Sequence, residues 1–320
     1  MKISVLGCGR WGSFISWYLV RQGHDVIEWG TEGNPSFEVL KNTGRNEYVE
    51  FDRRITLTGN LADAVGKSEI IIISISSQNL RSFMQRVVAC ENVQDKTFVL
   101  CMKGIEADTG KRLSEIMVES GIDKERVAVW VGPGHIQAFT RGLPNCMVID
   151  SDNPELVKML CDEFRSDLIR FYYGDDLIGS EIGAAAKNVM GIASGMLDGG
   201  GYTTLKGPLM SRGACEVARL IKAMGGKEIS AYGLCHLGDY ETTLFSEYSN
   251  NRKFGEDFVK GLPFSKLAEG VSTVRALKIL AEKYAVDMPI TDAVYAILYE
   301  NKKPMDEFLK IFSRSTRKEF

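Results

Sequence analysis

The chain has 320 residues, 44% of them hydrophobic and 25% charged, which predicts about two domains with a sizeable core and excludes disorder as the main state. With 39 Lys and Arg against 42 Asp and Glu and a formal charge of -3, it carries no polycationic footprint for nucleic acid, although a local basic pocket for a small anion is compatible with that balance. Its longest strongly apolar run, Ile70 to Ile75, is far short of the roughly 20 residues that cross a bilayer. No membrane span is expected. Met1 to Leu6 lacks the longer apolar region and cleavage site of a signal peptide and reads as a strand. Seven cysteines, an odd number without C-x-x-C spacing, suggest reduced thiols and a cytoplasmic setting. The three histidines, His24, His135 and His236, form no metal-ligand pattern, so no metal is expected.

Short β-rich runs recur in chain order at Lys2–Leu6, Asp25–Trp29, Ile70–Ile75, Thr97–Cys101, Val127–Val131, Cys146–Ile149 and Leu168–Tyr172. The run of four isoleucines from Ile70 has no polar alternation, as in a strand covered on both faces of a parallel sheet. Alternation with helical patterns predicts an α/β class: a Rossmann-type, doubly wound parallel sheet over residues 1–175. From about residue 176 helical periodicities take over, at 176–198, 208–224, 271–284 and 290–300, predicting an all-helical C-terminal domain over residues 176–320. The basic tail from Arg314 to Lys318 reads as a solvated terminus.

Between the first strand and a helix beginning near Trp11 lies Gly7-Cys8-Gly9-Arg10-Trp11-Gly12, the spacing G-x-G-x-x-G. Gly7 permits the tight turn, Gly9 lets the backbone approach a pyrophosphate, and Gly12 lets helix and strand pack closely. In this strand-turn-helix context it predicts a dinucleotide site, with Arg10 and Trp11 inside the binding turn. The second strand leads to Glu32, whose carboxylate suits a ribose 2′-hydroxyl. With no base beside it, NAD is favoured, and NADP is the alternative. Other strand ends bring Lys103 and His135 to where ligands bind in open α/β sheets, Lys103 as an attractor for an anion. His135 reads as structural.

Every fourth residue from Gly179 gives Gly179, Gly183, Lys187, Gly191 and Gly195, one stripe of a helix. Each interior glycine costs the helix about 1 kcal/mol relative to alanine, so another backbone or a ligand is expected close to that face. A lysine held there is partly desolvated, which lowers its pKa toward an acid-base range. Lys187 is the catalytic candidate, and its neighbour Asn188 offers an amide to substrate.

Taken together, Lys103-Gly104, Gly132-Pro133, Gly183 through Lys187-Asn188, Leu237-Gly238-Asp239, Asn251-Arg252-Lys253-Phe254-Gly255 and Glu269-Gly270 form an ordered series. On these landmarks the chain resembles the bacterial type of NAD(P)-dependent glycerol-3-phosphate dehydrogenase over nearly its whole length. The resemblance implies an enzyme of glycerophospholipid metabolism, usually dimeric, that reduces dihydroxyacetone phosphate to sn-glycerol 3-phosphate. Lys187 falls at the family's catalytic lysine, and Asp239 is placed to orient it. Lys103, Asn188, Thr243, Ser249, Asn250 and Asn251 fall at substrate-contact positions. Gly132, Gly134, Ile136 and Glu269 fall in cofactor or substrate contact segments, and Lys103 and Asn250 also face the cofactor.

The chain departs from the family where Ser-Arg-Asn-Arg becomes Ser249-Asn250-Asn251-Arg252. Neutral Asn250 there replaces a guanidinium expected near substrate phosphate and cofactor, with Arg252 and Lys253 as neighbouring cations that compensate if they point the same way. Gly134-His135 replaces a hydroxyl-bearing pair, and Thr31 stands where a base is common. Two alternatives follow: a divergent relative acting on another small hydroxy or polyol phosphate, and a non-catalytic NAD-binding sensor, against which Lys187 argues.

Overall fold

A computed structural model of the chain describes residues 1–316, 318 and 319. Arg317 of the basic tail lies outside the described residues. Two compact units are present, Met1–Lys103 with Arg112–Glu181, and Gly104–Lys111 with Ile182–Phe320.

The first unit is built on an eight-stranded sheet of β1 (Lys2–Leu6), β2 (Asp25–Trp29), β3 (Ile55–Thr58), β4 (Ile70–Ile73), β5 (Thr97–Leu100), β6 (Val127–Val131), β7 (Asn145–Ser151) and β8 (Ile169–Tyr173), in the order β3-β2-β1-β4-β5-β6-β7-β8. Strands β1 to β6 pair in parallel, and β8 runs parallel to β7. The expectation of a parallel sheet is met except at one join, where β7 runs antiparallel to β6. The connection between them carries only the four-residue helix Ile136–Phe139. At about 1.5 Å per residue that helix is too short to carry the chain back along a strand, as a parallel crossover requires.

Leu6 lies level with Trp29 on one side and Ile73 on the other. The carboxyl ends of β1, β2 and β4 therefore open together where the strand order reverses, which is the ligand-binding edge of such sheets. Beneath it Ile71, Ile72 and Ile73 are fully buried, and Phe14, Tyr18, Trp130 and Phe164 pack into one core. Strand β3 was not expected from the sequence.

The second unit is helical. Leu177–Gly199, Lys206–Ala223, Glu269–Lys283 and Pro289–Tyr299 fall on the predicted periodicities, whereas Asn250–Val259 and Pro304–Phe312 were not predicted. Ser249 accepts from Arg252 N to cap Asn250–Val259, while Pro289 and Pro304 open their helices at a position where a missing N–H removes no hydrogen bond. Among the described residues no helix is long and apolar enough to cross a membrane.

Candidate active site

The glycine turn has the geometry that dinucleotide binding demands. Gly7 has φ +123°, and a Cβ on it would lie 2.2 Å from Ser74 O; a Cβ on Gly12 would lie 1.8 Å from Gly7 O. Neither position admits a side chain. Gly9 differs, because a Cβ there would meet nothing within 4 Å, leaving the backbone open to a close ligand. The helix Arg10–Arg21 follows with no side-chain cap and no acidic residue in its first turn, so its leading N–H groups and positive dipole end suit a pyrophosphate. These residues fit the dinucleotide expected there. Arg10 donates to Gln137 Oε1 at 3.0 Å and stacks 5.2 Å over Tyr48. The indole N–H of Trp11 is buried with no hydrogen-bond acceptor.

Below the turn, Glu28 of β2 is wholly buried, and desolvation pushes its carboxyl from 4.5 up to about 8, against the opposing pull of the Ser13 and Ser16 hydroxyls. The Ser13 hydroxyl has one proton and lies 3.3 Å from Cys8 O and 3.1 Å from Glu28 Oε1. Protonated Glu28 satisfies both contacts: it donates to Ser13, and Ser13 donates to the Cys8 carbonyl in the turn. Glu32 is exposed, its side chain against Gly59. Lys103 Nζ donates to Gly132 O at 2.6 Å. Gly134 lies against the Phe139 ring, and the Ile136 side chain is packed in the core.

In the second unit Gly183, Gly191 and Gly195 of the stripe meet protein, side chain at the first two and backbone at the third. A Cβ on Gly183 would touch His236 Cβ at 3.1 Å, one on Gly191 would reach Thr243 Cγ2 at 2.8 Å, and one on Gly195 would strike Arg252 O at 1.8 Å. The close approach is made by the segment from Cys235 to Arg252. Lys187 does not snorkel from this packing: it is buried, donates to Thr243 Oγ1 at 2.7 Å, and pairs with Asp239 Oδ2 at 2.9 Å. An ammonium between a carboxylate and a hydroxyl is held in one direction. That arrangement suits proton donation to an oxygen.

Beside it, Asn188 Oδ1 accepts from Asn251 Nδ2 at 3.0 Å, and Asn251 Oδ1 accepts from Gly270 N at 2.9 Å, next to Glu269. Consecutive residues of the lysine helix thus anchor two sets of contacts, Lys187 with Asp239 and Thr243, and Asn188 with Asn251 and Gly270. Asn250, at the first turn of its helix, donates instead to Leu267 O at 3.2 Å.

The chain matches the family profile for the NAD-dependent glycerol-3-phosphate dehydrogenase N-terminus over residues 2–157 and that for the C-terminus over residues 176–309. It belongs to that family. A relative from Prosthecochloris aestuarii, named glycerol-3-phosphate dehydrogenase [NAD(P)+], is 33% identical with 100% of both chains covered. One of the same name from Thermoanaerobacter is also 33% identical, covering 100% of this chain and 99% of that protein. The crystal structure of glycerol-3-phosphate dehydrogenase from Coxiella burnetii matches with a TM-score of 0.89 at 27% identity, covering 98% of this chain and 99% of that one.

Around the neutral Asn250 the neighbouring cations are engaged with carboxylates of their own. Arg252 turns to Asp198 Oδ2 at 2.8 Å, Glu256 Oε2 at 3.3 Å and the Ser246 carbonyl; Lys253 pairs with Asp257 at 2.9 Å. Sequence reasoning did not single out Asp198 or Lys206, and it gave Tyr240 no role. Asp198 and Lys206 pair at 2.6 Å, and the Thr242 hydroxyl donates to Asp239. An acid and a lysine eight positions apart carry no recognisable motif, but His236 and Tyr240 at i and i+4 were a readable pair.

Proposed function

We propose that the protein interconverts dihydroxyacetone phosphate and sn-glycerol 3-phosphate with NAD(P)(H), residues 1–175 holding the dinucleotide and residues 176–320 carrying the acid-base chemistry. The buried Lys187–Asp239 pair with Thr243, in a chain of this family, is the observation that carries the reading. A bound nicotinamide supplies the hydride to C2 of the ketone. Lys187 Nζ gives a proton to the oxygen that becomes the hydroxyl, and takes it back in the reverse direction. Asp239 stabilises the ammonium before transfer, and Thr243 aims it, so that positioning and charge stabilisation carry most of the rate.

In this proposal Lys103, Asn188, Thr243, Ser249, Asn250 and Asn251 are assigned to the substrate. Gly7, Gly9, Arg10, Trp11, Gly12, Glu32, Ile136 and Glu269 are assigned to the cofactor, with Gly132 and Gly134 in the contact segments. Exposed Glu32 beside Thr31 supports NAD over NADP. A homodimer working in the cytoplasm accords with the family resemblance and with an odd number of cysteines lacking C-x-x-C spacing.

Loss of NADH absorbance with dihydroxyacetone phosphate tests the proposal, with unphosphorylated dihydroxyacetone and NADPH run in parallel. Fast turnover that requires the phosphate supports it. Because Arg252 and Lys253 are already engaged, the second reading is a relative using another polyol phosphate. An inert dihydroxyacetone phosphate with active alternative phosphorylated ketones would favour that reading.

A further inference from the structure

Asp239 lies in the one-turn segment Leu237–Asp239, and that turn is clamped by two side chains the chemistry does not use. His236, just before it, and Tyr240, just after it, are both fully buried. His236 Nδ1 lies 2.9 Å from Gly183 O, one helical turn before Lys187, and Tyr240 Oη lies 2.6 Å from His236 Nε2. A carbonyl only accepts, so Nδ1 carries the imidazole proton, Nε2 is the acceptor, and the tyrosine hydroxyl donates.

The surroundings are fitted to the pair. Gly183 leaves room for the His236 Cβ, and a Cβ on Gly213 would lie 3.1 Å from Tyr240 Oη. The titratable groups facing the pair are Asp239 and Lys187 around His236, and Glu216, Cys215 and Tyr232 around Tyr240. Burial pushes the imidazole down to about 4 despite Asp239, and pushes the Tyr240 hydroxyl well up. The histidine is neutral at pH 7 and does not compete with Lys187 for the Asp239 charge.

We propose that His236 and Tyr240 are positioning residues: their hydrogen-bonded relay to the Gly183 carbonyl fixes the Asp239 turn on the lysine helix, so that Asp239 stays the counter-ion of Lys187. The inference rests on the functional reading above for its catalytic consequence. Loosening the turn weakens the counter-charge on a buried ammonium, which then loses its proton at lower pH.

Tyr240→Phe tests this, since it keeps the ring and removes only the hydroxyl. Two readouts are taken: the titration of Lys187 followed by NMR of 15N-lysine-labelled protein, which needs no substrate, and the pH profile of kcat with NADH and dihydroxyacetone phosphate. In the variant, both the Lys187 titration and the alkaline limb of kcat move to lower pH. Turnover falls about tenfold, while KM for NADH is unchanged. His236→Asn, which keeps a donor for the Gly183 carbonyl, shows a smaller shift than His236→Ala, and carries the same readouts if Tyr240→Phe does not fold. A Tyr240→Phe protein with a lower Tm but an unmoved Lys187 titration and pH profile overturns the inference. Should the unmodified enzyme be inert on dihydroxyacetone phosphate, the functional reading fails, and the Lys187 titration alone still decides whether the clamp acts.

Discussion

Gly195 of the lysine helix is pressed against the carbonyl of Arg252, with 1.8 Å between that oxygen and a built Cβ. The obstruction is backbone, which cannot swing aside as a side-chain tip can. Gly195→Ala should therefore destabilise the protein by about 3 kcal/mol or more, by forcing the helices apart. Gly66 is the control: it closes the helix Leu61–Gly66 and has open space around its Cβ position. Gly66→Ala should stabilise by about 0.5 kcal/mol through the lost freedom of the unfolded chain. Urea midpoints of the two variants check both signs.

The same stripe shows what was legible in the sequence. Glycines at every fourth position announced a close approach, yet could not say whether backbone or ligand would fill it, because both need a missing Cβ. The glycine turn at Gly7 was readable because its constraint is local, and the isoleucine strand because a strand buried on both faces needs no alternation. Strand β3 escaped since Ile55–Thr58 is only four residues at the sheet edge, where one side is unpaired and the hydrophobic demand is weak. The helix Asn250–Val259 escaped because its few apolar residues lie among charges that pair through space, such as Arg252 with Asp198. No local pattern encodes those distant partners.

Removing the ammonium separates chemistry from binding. Lys187→Ala should lower kcat by about 10²–10⁴-fold while leaving NADH affinity, assigned to the glycine turn, unchanged; stopped-flow turnover with a parallel NADH fluorescence titration checks this. Asp239→Asn keeps the shape but strands a buried cation, so it should lose both turnover and about 3 kcal/mol of stability. Wild-type turnover in Lys187→Ala would remove the lysine from the mechanism.

Glu28 makes stability depend on pH. Its carboxyl is raised from 4.5 to about 8 in the folded protein, so between those values the folded state holds a proton that the unfolded state has released. Stability from this group is therefore full below about pH 4.5 and falls as pH rises to about 8. Glu28→Gln keeps a donor for Ser13 and cannot ionise. Its stability relative to wild type should rise steadily from about pH 5 to about pH 8, by on the order of a few kcal/mol. Melting curves across that range give the difference directly, and a constant offset would mean that Glu28 does not titrate in this window.

Asn250 tests how the chain recognises phosphate. Position 250 is a neutral amide, Arg252 is turned to Asp198 and Glu256, and Lys253 to Asp257, so a phosphate placed near this helix start would lack the bidentate partner that arginine provides. Asn250→Arg gives up one hydrogen bond to the Leu267 carbonyl, a neutral contact worth about 1 kcal/mol. A charge-assisted pair with phosphate is worth about 1.5–3 kcal/mol, so the exchange favours binding. The variant should lower KM for dihydroxyacetone phosphate about threefold to tenfold and make it more sensitive to salt, with the KM for unphosphorylated dihydroxyacetone unmoved. An unchanged KM for the phosphate ester would place phosphate recognition on other residues, and Lys103 would be the next to replace.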